Sequence, residues 1–336
     1  MKITKREFPK TRLRRARMKS FSRKMVSENR LSKNDLIWPV FLTEGTDRIL
    51  DIETMPGVHK YSVDIILREL QKPVDQGLNA IALFPSIEDE KKDEQGSNAF
   101  EPDNLICTAI RAIKEVYPSL GLICDVALDP YTDHAHDGII YKGQVDNDRS
   151  LKKLVKQSLL LSDAGCDILA PSDMMDGRVG IIRDALEKKE HHDVMIMSYA
   201  VKYASALYGP FRNAVNAGKL IEPSDKKSYQ MNVSNSFEAM HEIAMDVNEG
   251  ADMIMIKPGL PYLDIITKAK DTFGIPTYAY QVSGEYSMIK SAARNNYIQE
   301  EETILETMLC FKRAGADGIF TYFTPYLLNL LDQNSY

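Results

Sequence analysis

One lysine closes a short apolar run in the segment MIMIKPGLPYLD. Lys257 follows the apolar residues 253–256 and precedes Pro258 and Gly259. An ammonium group in apolar surroundings is unfavourable, so this side chain must either pair with an acid or have a lowered pKa. A lysine with a pKa near ~7–8 is a nucleophile at neutral pH. The pattern predicts covalent catalysis by Lys257, with a paired structural or phosphate-binding lysine as the alternative.

A second lysine follows another apolar run. Lys202 comes after VMIMSYAV at 194–201. If both runs are neighbouring parallel strands, repulsion between the two ammonium groups lowers the pKa of Lys257 further. The pair favours a nucleophilic lysine over a structural one.

The elements that would position these lysines repeat along the chain. Helical stretches end in Gly77, Gly165, Gly250 and Gly315, and each is followed by a short apolar run. Glycine closes a helix in the left-handed conformation, and a continuous apolar run is typical of a buried parallel strand. Further apolar runs at 36–42, 122–128, 194–200 and 277–284 complete a set of eight. Eight strands alternating with helices predict an α/β fold, the (β/α)8 TIM barrel.

An open doubly wound sheet is the main alternative, but neither a GxGxxG nor a Walker motif supports it. No Pro/Gly/Ser-rich linker divides the 336 residues. We therefore predict a basic N-terminal arm at 1–30 and one catalytic barrel at 31–336. A polar segment, 199–230, is predicted to be an active-site lid because it carries Arg212, Lys226 and the hinge candidates Gly209, Pro210 and Gly218. A long surface excursion is the alternative.

Composition and charge narrow the class of protein. Apolar residues make up 44% of the chain, and no run is long enough to span a membrane. The four cysteines form no CxxC pair, which favours reduced, buried thiols in a cytoplasmic protein. Residues 1–24 contain eleven Lys/Arg and a single acid, Glu7. Nucleic-acid binding and a transit peptide are alternatives, but no base-reading motif accompanies the charge, so we favour an arm that packs on a neighbouring subunit.

Catalytic groups of this fold lie at the C-terminal ends of the strands. Polar residues occur at or just beyond most of these predicted ends: Asp125, Asp129, Ser172, Asp173, Ser198, Tyr199, Lys202, Lys257, Ser283, Glu285 and Tyr322. A barrel used only as a scaffold does not need such a ring, so the pattern favours an enzyme.

Two histidine-containing segments are candidate metal sites. YTDHAHDG at 131–138 places His134 and His136 between acids, but a closed zinc site needs four good ligands, and a solvated flexible loop is the alternative. His191 and His192 lie among charged residues and are predicted to be an exposed helix end. The acidic segment 86–104 is predicted to be a solvated loop.

Several long motifs of this chain match those of a known protein family. The chain resembles porphobilinogen synthase (5-aminolevulinate dehydratase) from Arg12 to Leu331, through APSDMMDGRVGIIRDAL, KYASALYGPFRNA, GADMIMIKPGLPYLD and YQVSGEYSMI. The resemblance implies a TIM barrel with an extended arm, usually assembled as a homo-octamer. It also implies condensation of two 5-aminolevulinate molecules to porphobilinogen with loss of two waters, in tetrapyrrole (heme) biosynthesis.

The resemblance also implies roles for individual residues. Lys257 forms a Schiff base with the substrate that becomes the propionate side, and Lys202 forms or assists the second imine. Ser283 and Tyr322 hold the first carboxylate. By the same resemblance, the second carboxylate is held by Arg212, Lys226 and Gln230. The pocket is shaped by Asp125, Ser172 and Tyr208, and Asp125 also binds the amino group.

The metal site departs from one branch of this family. Zinc-type members carry three cysteines where this chain has Ala127, Asp129 and Asp137. Thiolates select zinc, whereas carboxylates suit magnesium. The resemblance therefore points to the cysteine-poor, magnesium-responsive branch, makes a catalytic Zn²⁺ doubtful, and leaves Asp129 and Asp137 as candidate metal ligands. It implies an allosteric Mg²⁺ at Glu242, for which an exposed acid is the alternative.

Three other functions are alternatives. Another lysine-dependent aldolase or dehydratase is disfavoured because two sets of carboxylate-binding residues imply two keto acids. A non-catalytic barrel would be favoured if either lysine were absent. A nucleic-acid role for the arm is the third. We expect 5-aminolevulinate and further copies of the chain as partners, and neither nucleic acid nor membrane.

Overall fold

Eight parallel strands form the centre of the molecule. The computed structural model describes residues 6–216 and 225–333. The strands are β1 (Leu36–Thr43), β2 (Ala80–Ser86), β3 (Gly121–Val126), β4 (Ile168–Pro171), β5 (Met195–Lys202), β6 (Met253–Lys257), β7 (Thr277–Tyr280) and β8 (Gly318–Phe320). Each pairs with its neighbour in chain order, and β8 also pairs with β1. The sheet therefore closes, and the predicted TIM barrel is confirmed.

Helices surround the barrel. They are α1 (Ser20–Met25), α2 (Val63–Glu69), α3 (Gln71–Asp75), α4 (Leu105–Val116), α5 (Asn147–Ala164), α6 (Arg178–Lys188), α7 (Gly209–Ala214), α8 (Phe237–Asn248), α9 (Leu263–Phe273), α10 (Ser283–Arg294), α11 (Glu300–Ala314) and α12 (Thr324–Gln333). Two short antiparallel pairs, Ile49–Asp51 with His59–Tyr61 and Ile139–Tyr141 with Gln144–Asp146, lie in the connections. No helix of the described residues is long and apolar enough to cross a membrane.

The helix-ending glycines behave as their positions predict. Gly77, Gly165, Gly250 and Gly315 have φ between 93° and 106°, a left-handed conformation that costs other residues about 1–2 kcal/mol. At Gly165 the backbone N–H returns to the Ser162 carbonyl and closes α5. β4 begins at Ile168, so each glycine sets where the next buried strand starts.

Two strands end earlier than the apolar pattern predicts. β3 stops at Val126, although Ala127 and Leu128 remain buried. β7 stops at Tyr280, and α10 begins at Ser283. Apolar residues continue past each strand because the first loop residues also pack against the barrel. Asp129 therefore lies on a connecting segment and Ser283 begins α10, so neither residue lies on a strand.

A buried ion pair joins two helices to β5. Arg178 of α6 is 2% exposed, and its Nη2 lies 3.1 Å from Asp246 Oδ2 on α8. The same nitrogen donates to Ser198 Oγ at 3.1 Å. Asp173 Oδ2 and Arg178 Nε face each other at 3.9 Å without hydrogen-bond partners in the described structure. Ser198 thus serves this interior network, and burial raises the pKa of Asp173 to about 7.

The described part of the N-terminal arm contains little secondary structure. Beyond a 3-10 turn at Leu13–Arg17 and α1, it exposes Phe8, Leu13, Phe21 and Met25. Its role in subunit assembly stays a prediction. The segment 86–104 is less open than predicted, because Ala99 and Phe100 are buried beside α5. Three of the four cysteines, Cys107, Cys124 and Cys166, are buried free thiols as predicted.

Candidate active site

The two predicted lysines lie side by side at the C-terminal end of the barrel. Lys257 is the last residue of β6, Lys202 is the last residue of β5, and the two are direct partners in the strand register. Each is 6% exposed. Parallel strands with matched ends therefore bring two primary amines into one buried pocket, as the sequence predicts.

Lys257 lies in an aromatic cage. Its Nζ is 4.6 Å from the ring centroid of Tyr280, 5.0 Å from those of Tyr199 and Phe211, and 5.5 Å from that of Tyr208. No carboxylate of the described residues forms an ion pair with it. Burial, aided by repulsion from Lys202, lowers the pKa of Lys257 to about 7. A large share of this amine is therefore uncharged and nucleophilic at neutral pH.

Lys202 has a different environment, because it belongs to a row of alternating charges. Its Nζ lies 3.0 Å from Asp137 Oδ1 and donates to the Ser172 carbonyl. Asp137 is fully buried, and its Oδ2 lies 2.6 Å from Lys226 Nζ. Lys226 also lies 3.2 Å from Asp129 Oδ2. Two lysines and two aspartates thus compensate one another inside the pocket.

The charge row sets the protonation of its members. Burial alone would raise the pKa of Asp137, but the ammonium groups of Lys202 and Lys226 lower it well below its usual range. Burial alone would lower the pKa of Lys226, but the carboxylates of Asp129 and Asp137 raise it above its usual value. Both candidate metal ligands are therefore already engaged by lysine, and a metal ion between them would have to displace Lys226.

Asp125 is a third carboxylate of the pocket. It lies on β3, and its Oδ1 is buried without a hydrogen-bond partner in the described structure. Burial and repulsion from Asp129 raise the pKa of Asp125 to about 6, against the pull of Lys202. An unpaired buried acceptor facing two lysines is suited to receive an amino group, the task that the family resemblance implies.

Hydroxyl groups line the side of the pocket towards α10. Ser283 Oγ accepts from the Phe211 N–H at 2.9 Å, and Tyr322 Oη lies 3.0 Å from Tyr280 Oη. The Tyr208 hydroxyl donates to the Lys257 carbonyl at 3.1 Å. Burial raises the pKa of Tyr322, so it remains a neutral donor. These hydroxyls can donate to a carboxylate without adding charge.

The predicted lid contributes residues to a second cleft. Arg212, exposed on α7, lines a cavity of about 300 Å³ together with Lys226 and Gln230. Gln230 is buried, and its N–H donates to the Lys226 carbonyl at 2.8 Å. Gly209 begins α7, whereas Gly218 lies outside the described residues. The three implied ligands of the second carboxylate thus share one cleft.

The histidine loop corrects one expectation. His134, His136 and Asp137 are buried, so 131–138 is not a solvated loop. The Tyr229 hydroxyl donates to Asp137 Oδ2 at 2.8 Å and lies 3.0 Å from His136 Nδ1, which ties this loop to the lid segment. Within the described ranges, no three His, Cys, Asp or Glu side chains are arranged to hold a metal ion. The other histidine pair follows α6: His192 is exposed, as predicted, and contacts Glu187, whereas His191 is half-buried and contacts Asp163.

Glu242 lies on α8 beside a separate polar cavity. It is half-buried, and Glu238 and Asp176 line the same cavity of about 330 Å³. Burial raises the pKa of Glu242 and the guanidinium of Arg178 opposes this shift, whereas Asp246 and Asp176 add to it. A cation would relieve this concentration of acids, and Mg²⁺ commonly uses one or two carboxylates with several waters.

Sequence reasoning undervalued one group of the pocket wall. Glu285 was noted only as a polar residue at a strand end, yet it is buried and accepts three backbone hydrogen bonds. Tyr229 was not singled out at all. The available indication for Glu285 is an acid two residues after Ser283, just beyond the end of a predicted strand.

Comparisons with known proteins agree with this geometry. Residues 10–330 match the protein family described as delta-aminolevulinic acid dehydratase. Proteins of that name from Bradyrhizobium diazoefficiens and Methanothermus sociabilis are 51% and 49% identical to this chain, over 94% and 96% of it and 89% and 99% of their own lengths. A solved structure from Toxoplasma gondii, a delta-aminolevulinic acid dehydratase (porphobilinogen synthase) in complex with the reaction product porphobilinogen, is also similar. It superposes with a TM-score of 0.94 at 42% identity and covers 96% of this chain and 92% of that one. With its paired lysines at the ends of β5 and β6, this chain belongs to the delta-aminolevulinic acid dehydratase family.

Proposed function

We propose that this chain is a porphobilinogen synthase, a lyase that condenses two molecules of 5-aminolevulinate to porphobilinogen in heme biosynthesis. The observation that carries the proposal is the buried pair Lys257 and Lys202 at adjacent strand ends. Two keto substrates and two amines account for this pair, whereas an aldolase with a single keto substrate needs only one lysine.

Lys257 forms one of the two imines. Its neutral amine attacks the ketone carbon of the first substrate, the resulting carbinolamine loses water, and an imine remains. A pKa of about 7 supplies the neutral amine without excessive loss of nucleophilicity. Ser283 and Tyr322 hold the carboxylate of this substrate, and Asp125 accepts hydrogen bonds from its amino group.

The second substrate binds on the side of Lys202. Its carboxylate is held by Arg212, Lys226 and Gln230, which share one cleft. In the structure Lys226 forms ion pairs with Asp129 and Asp137. The carboxylate of the incoming substrate replaces these aspartates as the ion-pair partner of Lys226. Lys202 then forms or assists the second imine, and Ser172 and Tyr208 shape the pocket.

Magnesium acts outside this pocket in our proposal. Glu242 with its neighbouring acids fits a hydrated Mg²⁺ that would supply an allosteric contact, whereas Asp129 and Asp137 are compensated by lysines and do not fit a catalytic Zn²⁺. The chain thus belongs to the cysteine-poor, magnesium-responsive branch. We place the enzyme in the cytoplasm as a homo-octamer assembled through the arm at 1–30.

Reduction with borohydride in the presence of 5-aminolevulinate tests the central proposal. Hydride reduces the imine to a stable secondary amine, and peptide mapping locates it. We expect the label on Lys257 in the wild-type enzyme. A label confined to other lysines would contradict the assigned role of Lys257.

Metal dependence tests the proposed branch. We expect chelator-treated enzyme to regain its full rate with Mg²⁺, and Zn²⁺ to be no substitute. E242Q should lose the Mg²⁺-dependent part of the rate, because it removes the charge of the carboxylate that holds the ion. E115Q, on the far helix α4, is the matched control and should respond like wild type. Recovery with Zn²⁺ alone would overturn this assignment.

A further inference from the structure

A buried carboxylate lies behind the pocket wall. Glu285, in the first turn of α10, is 4% exposed. Its Oε1 accepts from the Leu260 N–H at 2.7 Å, and its Oε2 accepts from Val282 at 2.8 Å and Gly259 at 3.4 Å. Burial raises the pKa of Glu285 to about 7, although the three donors favour the charged form. All three hydrogen-bond donors are backbone N–H groups, so Glu285 holds two backbone segments in place and does not orient another side chain.

Both segments held by Glu285 lead to the active site. Gly259 and Leu260 form the turn two and three residues after Lys257. Val282 directly precedes Ser283, which is the first residue of α10. One carboxylate thus joins the backbone beyond the imine-forming lysine to the backbone before the serine assigned to the first carboxylate.

The surroundings leave these segments little freedom. A Cβ at Gly259 would lie 2.5 Å from the Phe311 ring and 2.9 Å from the Tyr280 carbonyl. A Cβ at Gly284 would lie 2.5 Å from the Leu207 carbonyl. Close packing on both sides means that the hydrogen bonds of Glu285 act between rigid neighbours, so their geometry is transmitted to Lys257 and Ser283.

We propose that Glu285 is a positioning residue that fixes the span between Lys257 and Ser283, and that this span selects keto acids with two methylenes between carbonyl and carboxylate. The inference rests on the proposed function, because it needs the imine at Lys257 and the carboxylate at Ser283. 5-Aminolevulinate has this spacing, and a keto acid longer by one methylene does not.

E285Q is the informative variant. An amide keeps the size of the carboxylate but has only one acceptor oxygen, so its NH₂ group must face a backbone N–H. Either the turn at Gly259–Leu260 or the start of α10 then loses its partner and shifts. Since a displacement of about 1 Å can cost on the order of 100-fold in rate, we expect kcat/KM for 5-aminolevulinate to fall about 100-fold.

Selectivity separates positioning from general destabilisation. The rates of borohydride-trapped adduct at Lys257 are measured with 4-oxopentanoate and with 5-oxohexanoate, which has one more methylene. We expect wild type to form the adduct with the shorter acid at least about tenfold faster, which is the discrimination that one methylene commonly gives. E285Q should lose most of this preference. N104A is the control, because buried Asn104 caps α4 through the Cys107 N–H at 2.9 Å, away from the site. N104A should lower stability and keep the preference.

The outcomes are distinct. If E285Q keeps both the wild-type rate and the wild-type preference, the inference is overturned while the proposed function stands. If wild type forms no adduct at Lys257, the proposed function fails and the inference fails with it. If E285Q does not fold, E285D replaces it. Aspartate keeps the charge but has one methylene fewer, so the carboxylate lies farther from its backbone donors. We expect a preference for the shorter acid between those of wild type and E285Q. An unchanged preference in a folded E285D likewise overturns the inference.

Discussion

K257M is expected to abolish turnover and, at the same time, to make the protein more stable. No other described amine shares the aromatic cage of Lys257, so loss of the nucleophile should reduce kcat by on the order of 10⁴-fold or more, as for other residues that form the covalent intermediate. Methionine has a similar length and an apolar surface. It fills the cage without requiring a proton to be removed.

The gain in stability follows from the lowered pKa. The amine of Lys257 holds its proton up to about 10.5 in an ordinary environment and only up to about 7 in the folded protein. This difference corresponds to at most about 5 kcal/mol, at about 1.4 kcal/mol per pKa unit. Below pH 7 wild type bears this whole cost. The cost declines as the pH rises towards the unfolded pKa.

The advantage of K257M should therefore be largest below pH 7 and vanish towards pH 10. Urea unfolding, followed by the fluorescence of the single tryptophan, Trp38, measures it. K114M is the matched control, because Lys114 forms an ion pair with Asp167 at 2.6 Å on the outer helix α4. That variant should lose a little stability and keep its activity. A K257M protein less stable than wild type at pH 6 would contradict the buried, unpaired environment of Lys257.

The barrel could be predicted because its determinants are local. A glycine such as Gly165 can adopt the left-handed conformation that ends a helix, and the short apolar run that follows is typical of a buried strand. Placement of Lys257 and Lys202 followed from strand order, since parallel strands end at one face. These inferences require no knowledge of contacts between distant residues.

The charge balance of the pocket could not be predicted in this way. Asp137 and Lys226 are 89 positions apart, and only the closed barrel brings the histidine loop under the lid segment. Read alone, the acids and histidines of 131–138 look solvated, although the loop is buried. Glu285 presents the same difficulty, because its partners are backbone N–H groups that have no identity in a sequence.

The second large effect is expected for D137N, which should destabilise the protein by about 3–5 kcal/mol at pH 7. Asp137 is fully buried and neutralises Lys202 and Lys226 together. Asparagine keeps the shape of the side chain and removes the charge, so Lys202 loses its ion pair and Lys226 keeps only the one with Asp129. Lys257 also loses an attraction that supports its proton, and the acid limb of kcat/KM should shift below pH 7.

The pH dependence of the D137N effect has a definite sign. Because the lysines lower the pKa of Asp137, its contribution to stability is present above the unfolded pKa of about 4 and is lost as the pH falls through the folded value. The difference between D137N and wild type should thus be full at pH 7 and shrink below pH 4. D163N is the control, since Asp163 contacts His191 at an exposed site where ion pairs contribute about 0–1 kcal/mol.

A double variant separates lost charge from lost shape. In D137N/K202M the ammonium of Lys202, whose ion pair is with Asp137, is gone, and methionine leaves an apolar group in its place. Removing one partner of a buried pair is costly chiefly because the other charge stays behind, whereas replacing both is often neutral. We therefore expect the double variant to recover most of the stability lost in D137N, since the Lys226–Asp129 pair remains, while activity stays low because Lys202 is assigned to the second imine. If the double variant is as unstable as D137N, the destabilisation arises from the hydrogen bonds of Asp137 to Tyr229 and its own loop, and Lys202 is not the main partner of this carboxylate.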